Sequence, residues 1–397
     1  MLKSLPPAGN PILLTAVEAP EKVFKKAFGD RSVFLYGSGT MALAAALMAA
    51  KDLAKARHGI TSPEVLLPAY ACPDLLSAAL YAGLKPILVD LQGETPWMDL
   101  DELQARLSPN TVAVIAAHFL GIPERLASIR AVLEGSTALL VEDSAQLFPS
   151  KPVDGVWEGD LVVLSFGRGK PVSLLGGGAV LCRTAALMEH LPLANKAALP
   201  ILLENLGVPG MLYKFKAHLY NRLLSPTVYG VLQYIPFLNL GETVFKPLQG
   251  ILPFAKERVG LLAANIAAYE TRERKQQERL MTMLADVTDN AISDLTSIRP
   301  NQPELTLLRY PVLVQSQRLR DHLLSDLTHA GLGCSRMYPR PLPEIDGIDG
   351  RFQGQGEFPQ AALFSQRLLT LPCHAAVTSS DIEAMRQVIE ARLFNER

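Results

Sequence analysis

From residue 32 to residue 182 short apolar runs alternate with helical patterns. Val65-Leu-Leu-Pro68, Pro86-Ile-Leu-Val-Asp90, Thr111–His118, Thr137–Glu142 and Asp160–Ser165 read as strands, and Ala179–Cys182 as one more after a glycine-rich turn. A helix runs from near Thr40 to His58, with Gly59 just past its end. Leu75–Tyr81, ending at Gly83, and Pro123–Leu133 read as two others. The strands are continuously apolar rather than alternating. That pattern predicts a mainly parallel sheet covered by helices on both faces.

The pattern then changes. Residues 185–255 are apolar and helical but broken by Pro192, Pro200, Pro209, Pro226, Pro236, Pro247 and Pro253. Between Asn205 and Gly241 there is no acidic residue, while Lys214, Lys216 and Arg222 are present. Two readings stand open: short helices at a subunit interface, or a basic, apolar element at a membrane surface. Lys256 to about Ala285 predicts one long helix crossing to a second domain. Leu305–Val314 predicts strands, Arg318–Ala330 a helix, and Ser380-Asp-Ile-Glu383 a capping box that opens the last helix.

Composition narrows the possibilities. With 397 residues, 49% of them hydrophobic, the chain can bury a large core and predicts two domains or one with an appendage. A net charge of −1, from 38 basic and 39 acidic residues, gives no reason to expect nucleic acid as partner. Cys72, Cys182, Cys334 and Cys373 are scattered, without metal-ligand spacing or a disulfide framework, which fits a reducing cytoplasm. The N-terminal residues do not read as a signal peptide. Residues 223–241 are uncharged, but Pro226 and Pro236 argue against a spanning helix.

Three segments carry candidate chemistry. Tyr36-Gly-Ser-Gly-Thr40 follows an apolar run and opens a helix, where backbone N–H groups and the hydroxyls of Ser38 and Thr40 suit a phosphate. Asp143 ends a strand of an open sheet, where ligands bind; a plainer reading makes it the cap of a helix starting at Ser144. Gln146, three residues on, would point to the same side of that helix. Ser165-Phe-Gly-Arg-Gly-Lys170 leaves the next strand through two glycines, and Gly176-Gly-Gly178 follows. A carboxylate after one strand and a lysine after the next suit pyridoxal phosphate (PLP). The lysine would hold its aldehyde as a Schiff base, and the aspartate would keep its pyridine nitrogen protonated.

On these residues the chain resembles the DegT/DnrJ/StrS-type sugar-nucleotide aminotransferases, from about Phe34 onward. The matching segments are Gly37–Leu43, Leu67-Pro-Ala-Tyr70, Ala82–Asp90, Glu142–Gln146, Gly159 to Val180, and more weakly Tyr338–Leu342 and Leu369–His374. The resemblance implies PLP-dependent fold type I: a seven-stranded-type sheet sandwiched by helices, with a smaller C-terminal α+β domain. It places a large PLP-binding domain in residues 1–255, with an apolar insertion at about 190–250, and a linking helix and small domain in 256–397. Lys170 would be catalytic. Ser38, Gly39, Thr40 and Ser165 would hold the phosphate, Asp143 the pyridine nitrogen, and Gln146 the 3-hydroxyl side. Cys72 falls where many members stack an aromatic ring on the cofactor, a role Tyr70 could take over. His118 matches a family His-x-x-Gly segment; a hydrogen-bonded core histidine is the competing reading.

The family implies transfer of an amino group, often from glutamate, to a keto sugar nucleotide by a cytoplasmic homodimer. Gly167 and Met337 stand where histidines are common, and the usual cross-subunit asparagine motif is not readable in Asn239–Lys246. Two alternatives follow: sugar dehydration or deoxygenation on the same cofactor, against which Lys170 argues, and a regulator or scaffold built on the same fold.

Overall fold

The computed structural model describes residues 3–149, 153–192, 208–232, 243–287, 291–298, 305–348, 350, 352 and 354–396. Seven strands form the main sheet: β1 (Ser32–Tyr36), β2 (Glu64–Pro68), β3 (Lys85–Val89), β4 (Thr111–Ala117), β5 (Leu139–Asp143), β6 (Leu161–Ser165) and β7 (Gly178–Cys182). Their order is β1-β7-β6-β5-β4-β2-β3. The run from β3 to β6 is parallel, and β7 lies antiparallel to both β6 and β1. The continuous apolar runs are explained: β4 from Thr111 to Ala116 and all of β7 are buried.

Helices α1 (Pro20–Phe28), α2 (Gly39–His58), α3 (Pro73–Tyr81), α4 (Leu100–Arg106) and α5 (Leu126–Val132) flank this sheet, followed by α6 (Ala185–Met188), α7 (Val208–Leu223) and α8 (Pro226–Leu232). α2 is alanine-rich and buries Ala42 through Leu47 almost completely, so it packs close on the sheet. On the opposite face, Leu126 and Ile129 of α5 join Leu66, Val114 and Leu140 in a separate core cluster. The helix expected over Pro123–Leu133 thus begins at Leu126.

The expected long helix from Lys256 is two helices, α9 (Val259–Glu270) and α10 (Lys275–Val287). Thr271 ends α9, its hydroxyl donating back to the Ala268 carbonyl at 3.1 Å and competing with continuation of the helix. A second sheet, order β10-β9-β8, is antiparallel: β8 (Ile292–Asp294), β9 (Tyr310–Val314) and β10 (Leu368–Leu371). Helices α10, α11 (Gln317–His329) and α13 (Ser379–Glu396) pack on it around Leu284, Leu323, Met385 and Leu5; α12 is Pro359–Arg367.

Two sequence expectations are corrected here. Leu305–Leu308 is buried but is not a strand. The Gln277 side chain takes the place of a strand partner, accepting from the Leu307 amide at 2.9 Å and donating to the Leu305 carbonyl at 3.2 Å. The box that opens α13 is formed by Thr378 and Asp381, not by Ser380 and Glu383. Asp381 Oδ2 accepts from the Thr378 amide at 2.9 Å, and Thr378 Oγ1 accepts from the Asp381 amide at 3.2 Å. Glu383 instead pairs with Arg386 one turn on. No helix among the described residues is long and apolar enough to cross a membrane.

Candidate active site at the carboxyl end of the main sheet

β5 and β6 are adjacent and parallel, so the residues that follow them emerge side by side. Asp143 ends β5, and Lys170 lies five residues beyond the end of β6. One oxygen of Asp143 accepts from the Ala145 amide at 2.9 Å; the other makes no hydrogen bond among the described residues. Burial raises the Asp143 pKa, opposed by the Ala145 amide and by the positive charge of Lys170. The same lysine acts on Cys72, whose thiol burial pushes up to about 11. Lys170, Asp143 and Cys72 therefore share one site. Lys170 is half-buried and makes no hydrogen bond or ion pair among the described residues.

The turn between β1 and α2 closes the second side. Ser38 Oγ caps α2 by accepting from the Met41 amide at 3.1 Å. Gly39 packs so tightly on Ser165 that a Cβ there would lie 2.5 Å from the serine Cβ. The partner of this turn is the run Gly176-Gly-Gly178. The Gly177 amide donates to the Gly37 carbonyl at 2.8 Å, and a Cβ on Gly178 would sit 2.5 Å from the Ser38 carbonyl oxygen. Ser38, Gly39, Thr40 and Ser165 are thus brought together at a helix N-terminus, and the glycines are required by close backbone approach.

Gln146 is placed differently from expectation. No helix follows Asp143: Ser144 Oγ donates to the Leu147 carbonyl at 2.7 Å and accepts from the Trp157 indole at 3.0 Å, which folds residues 144–147 into a turn. Gln146 is buried, accepts from the Leu120 amide at 3.1 Å, and donates to the Tyr338 hydroxyl at 3.3 Å. Tyr70 does not supply a stacking ring. It is buried edge-on against Phe119, Tyr338 and Phe364, and its hydroxyl donates to the Tyr338 carbonyl at 2.9 Å. His118 is a buried, fully engaged histidine. Its Nδ1 accepts from the Glu124 amide at 2.9 Å, which leaves Nε2 to donate to Glu142 Oε1 at 2.6 Å.

Two groups were missed from sequence. Tyr338 meets both Cys72 and Gln146 with its hydroxyl, whose pKa burial holds well above the usual phenol value. Beyond it opens a cleft of about 1300 Å³ whose lining includes Arg168, Gly169, Arg309, Arg336 and Tyr338. Arg309 is half-buried, donates to Ser335 Oγ at 2.6 Å, and has its Nε buried without a partner. Desolvation lowers its pKa, a sign that the protein holds a cation where water is scarce. The positions of these arginines in the sequence carried no signal, because only the fold gathers them around the cleft that Tyr338 borders. No group of residues suited to a metal ion exists among the described residues.

The sequence profile of the DegT/DnrJ/EryC1/StrS aminotransferase family matches residues 12–211 and 263–391. A dTDP-4-amino-4,6-dideoxy-D-glucose transaminase of Shigella dysenteriae is 28% identical over 173 residues, 43% of this chain and 45% of that protein. A GDP-perosamine synthase of Escherichia coli O157:H7 is 27% identical over 175 residues, 42% of this chain and 46% of that protein. The matched stretch thus spans less than half the length of these curated relatives. Among solved structures, Helicobacter pylori PseC, an aminotransferase involved in pseudoaminic acid biosynthesis, superposes with a TM-score of 0.70 at 14% identity, covering 98% of this chain and 94% of that one. DesV of S. venezuelae gives 0.67 at 19% identity, covering 98% and 91%. At such identities the likeness establishes the fold: PLP-dependent fold type I, with its mainly parallel seven-stranded sheet and smaller C-terminal unit.

Proposed function

Because the chain belongs to the DegT/DnrJ/EryC1/StrS aminotransferase family, we propose that it transfers an amino group, from glutamate, to a keto sugar nucleotide in amino-sugar or polysaccharide biosynthesis. The cofactor in this reading is PLP, and the residues present fit it. Among the described residues Asp143 offers an unpartnered carboxylate oxygen in a buried setting and Lys170 an unpartnered amine, and the start of α2, where Gly39 packs on Ser165, offers the N–H groups of a first helical turn. When bound, PLP supplies an electron sink and a carrier for the amino group.

The chain's own residues divide the remaining work. Lys170 would hold the cofactor through its amine and would serve as the proton-carrying base of the site. Asp143 would face the cofactor's ring nitrogen and favour its protonated form, which would offset the cost of burying the carboxylate. Ser38, Gly39, Thr40 and Ser165 hold the phosphate at the start of α2. Gln146 and Cys72, joined by Tyr338, border the ring. The arginines of the cleft orient an anionic substrate, and a cleft of about 1300 Å³ leaves room for one as large as a sugar nucleotide. Residues 1–255 would form the cofactor domain and 256–397 the linking helices and small domain, acting as a homodimer in the cytoplasm.

The observation that carries this reading is the meeting of Lys170 and Asp143 in one site beside the Gly39 cradle. The test is to incubate the protein with PLP, reduce with borohydride and map the modified peptide. Cofactor mass on Lys170 is the expected result; visible absorbance that never develops, or mass on other lysines only, would overturn it.

A further inference from the structure

Helix α7 turns an apolar arc to solvent. Met211 is 78% exposed, Leu212 48%, Phe215 66% and Leu219 48%. At 100° per residue these four fall within one arc of about 100°. The opposite face is anchored: Ala217 is fully buried, the Tyr213 hydroxyl donates to the Leu174 carbonyl at 3.2 Å, and the Arg258 guanidinium sits 5.1 Å over the Tyr213 ring. The arc is therefore not a core face awaiting its own domain. Lys214 and Lys216 flank the arc on its two sides, His218 lies at its edge and Arg222 continues it beyond Leu219; all four are exposed, and no acidic residue occurs between Asn205 and Gly241.

Soluble surfaces seldom leave such a stripe uncovered. The charge pattern decides what covers it. Two-fold pairing of α7 with its own copy would bring Lys214, Lys216 and Arg222 near their equivalents, with no carboxylate on either helix. An anionic lipid surface satisfies both halves of the pattern: apolar side chains enter the headgroup boundary while long basic ones reach up to the phosphates. We propose that α7 docks the protein peripherally on an anionic membrane surface. Tyr220 and Leu223 of the same helix line the cleft, so docking holds the cleft beside the lipid headgroups. This inference is independent of the proposed reaction.

The experiment is co-sedimentation of the full chain with vesicles of phosphatidylglycerol and phosphatidylcholine, and of phosphatidylcholine alone, at low and high salt. Binding to the anionic vesicles at low salt, and release at high salt, is expected. Each basic residue near an anionic surface contributes on the order of fivefold in affinity, so Lys214→Gln/Lys216→Gln/Arg222→Gln should weaken binding about a hundredfold. Phe215→Ser/Leu219→Ser should also weaken it while leaving the solution mass and the thermal midpoint unchanged. Absence of binding by the wild type, binding indifferent to both variants, or conversion of a dimer to monomer by Phe215→Ser/Leu219→Ser would each overturn the proposal. The last would show that a second copy covers the face.

Discussion

Gln146 joins the two halves of the site. Its Nε2 donates to the Tyr338 hydroxyl at 3.3 Å while its Oε1 accepts from the Leu120 amide at 3.1 Å. Leu120 has a φ of 60°, a left-handed conformation that its side chain makes costly. The glutamine thus braces a strained turn and reaches across to the residue that borders Cys72. The two bonds should be unequal. Gln146→Leu strands the buried Leu120 amide and should cost about 1–3 kcal/mol, whereas Tyr338→Phe strands no backbone group, losing the long bond to Gln146 and the contact with Cys72, and should cost about 0.5–1.5 kcal/mol. Urea denaturation of both variants checks the order. A larger loss for Tyr338→Phe would mean that the hydroxyl, not the turn, is the greater contributor.

Asp143 should make the cofactor-free protein sensitive to pH. Burial raises its folded pKa above the ordinary carboxylate value. Between those two values the folded chain binds more protons than the unfolded one. Its contribution is therefore fully present below the ordinary value and is lost as pH rises through the window. Asp143→Asn keeps an oxygen for the Ala145 amide but cannot charge. The thermal midpoint of the cofactor-free variant should exceed that of the wild type by an amount that grows from about pH 4 upward and then levels. A difference independent of pH would remove desolvation of Asp143 as the cause. The same variant, loaded with PLP, should lose at least about a hundredfold in rate, because the charge on the ring nitrogen has lost its partner.

The large sheet was legible because buried parallel strands leave an unambiguous trace, and the spacing of Asp143 and Lys170 was legible because both follow strands. What failed did so for local reasons. A single helix over 256–285 was a fair reading of composition, but the Thr271 hydroxyl competes for a helix carbonyl. Two overlapping capping frames surround Ser379, and the geometry of Asp381, held also by Lys3 at 2.9 Å, selects the first. Gln277 replaces a strand partner for Leu305 and Leu307, a substitution across 28 and 30 residues that no periodicity records. Tyr338 packs against the core of the main sheet while Arg309 precedes β9 of the second, and their meeting at one cleft is a property of how the two sheets' surroundings pack.

The Gly39–Ser165 contact should fail in a way that can be repaired. A Cβ at Gly39 would meet Ser165 Cβ at 2.5 Å and Oγ at 2.6 Å, so Gly39→Ala must push the start of α2 away from β6. Overpacking of this kind costs about 1–3 kcal/mol and would spread the proposed phosphate cradle. PLP affinity, followed by absorbance during dialysis, should fall at least about tenfold. Ser165→Gly in the same chain removes the clashing atoms. The double variant should recover stability relative to Gly39→Ala alone, giving a coupling of about 0.5–3 kcal/mol. Strict additivity would show that the two residues do not press on each other.

Arg309 should trade stability against binding. Its Nε is buried without a hydrogen-bond partner, and desolvation lowers its pKa, so the guanidinium is held in the cleft wall at a cost. Among the described residues only one of its terminal nitrogens, Nη1, is engaged, with Ser335 Oγ at 2.6 Å. In the proposed reaction Arg309 would receive an anion at the cleft wall, either the carboxylate of an amino donor or the diphosphate of a nucleotide. Arg309→Met has similar reach and no N–H groups. It should unfold at equal or higher urea concentration than the wild type, by up to about 1 kcal/mol, because the unsatisfied donor is gone. Calorimetric titration with 2-oxoglutarate and with UDP, each alone, should show affinity lost at least about tenfold for the anion that Arg309 receives. A variant that is destabilised and binds both anions like the wild type would make Arg309 a structural residue, and the basic lining of the cleft would then rest on Arg168, Arg320, Arg336 and Arg340.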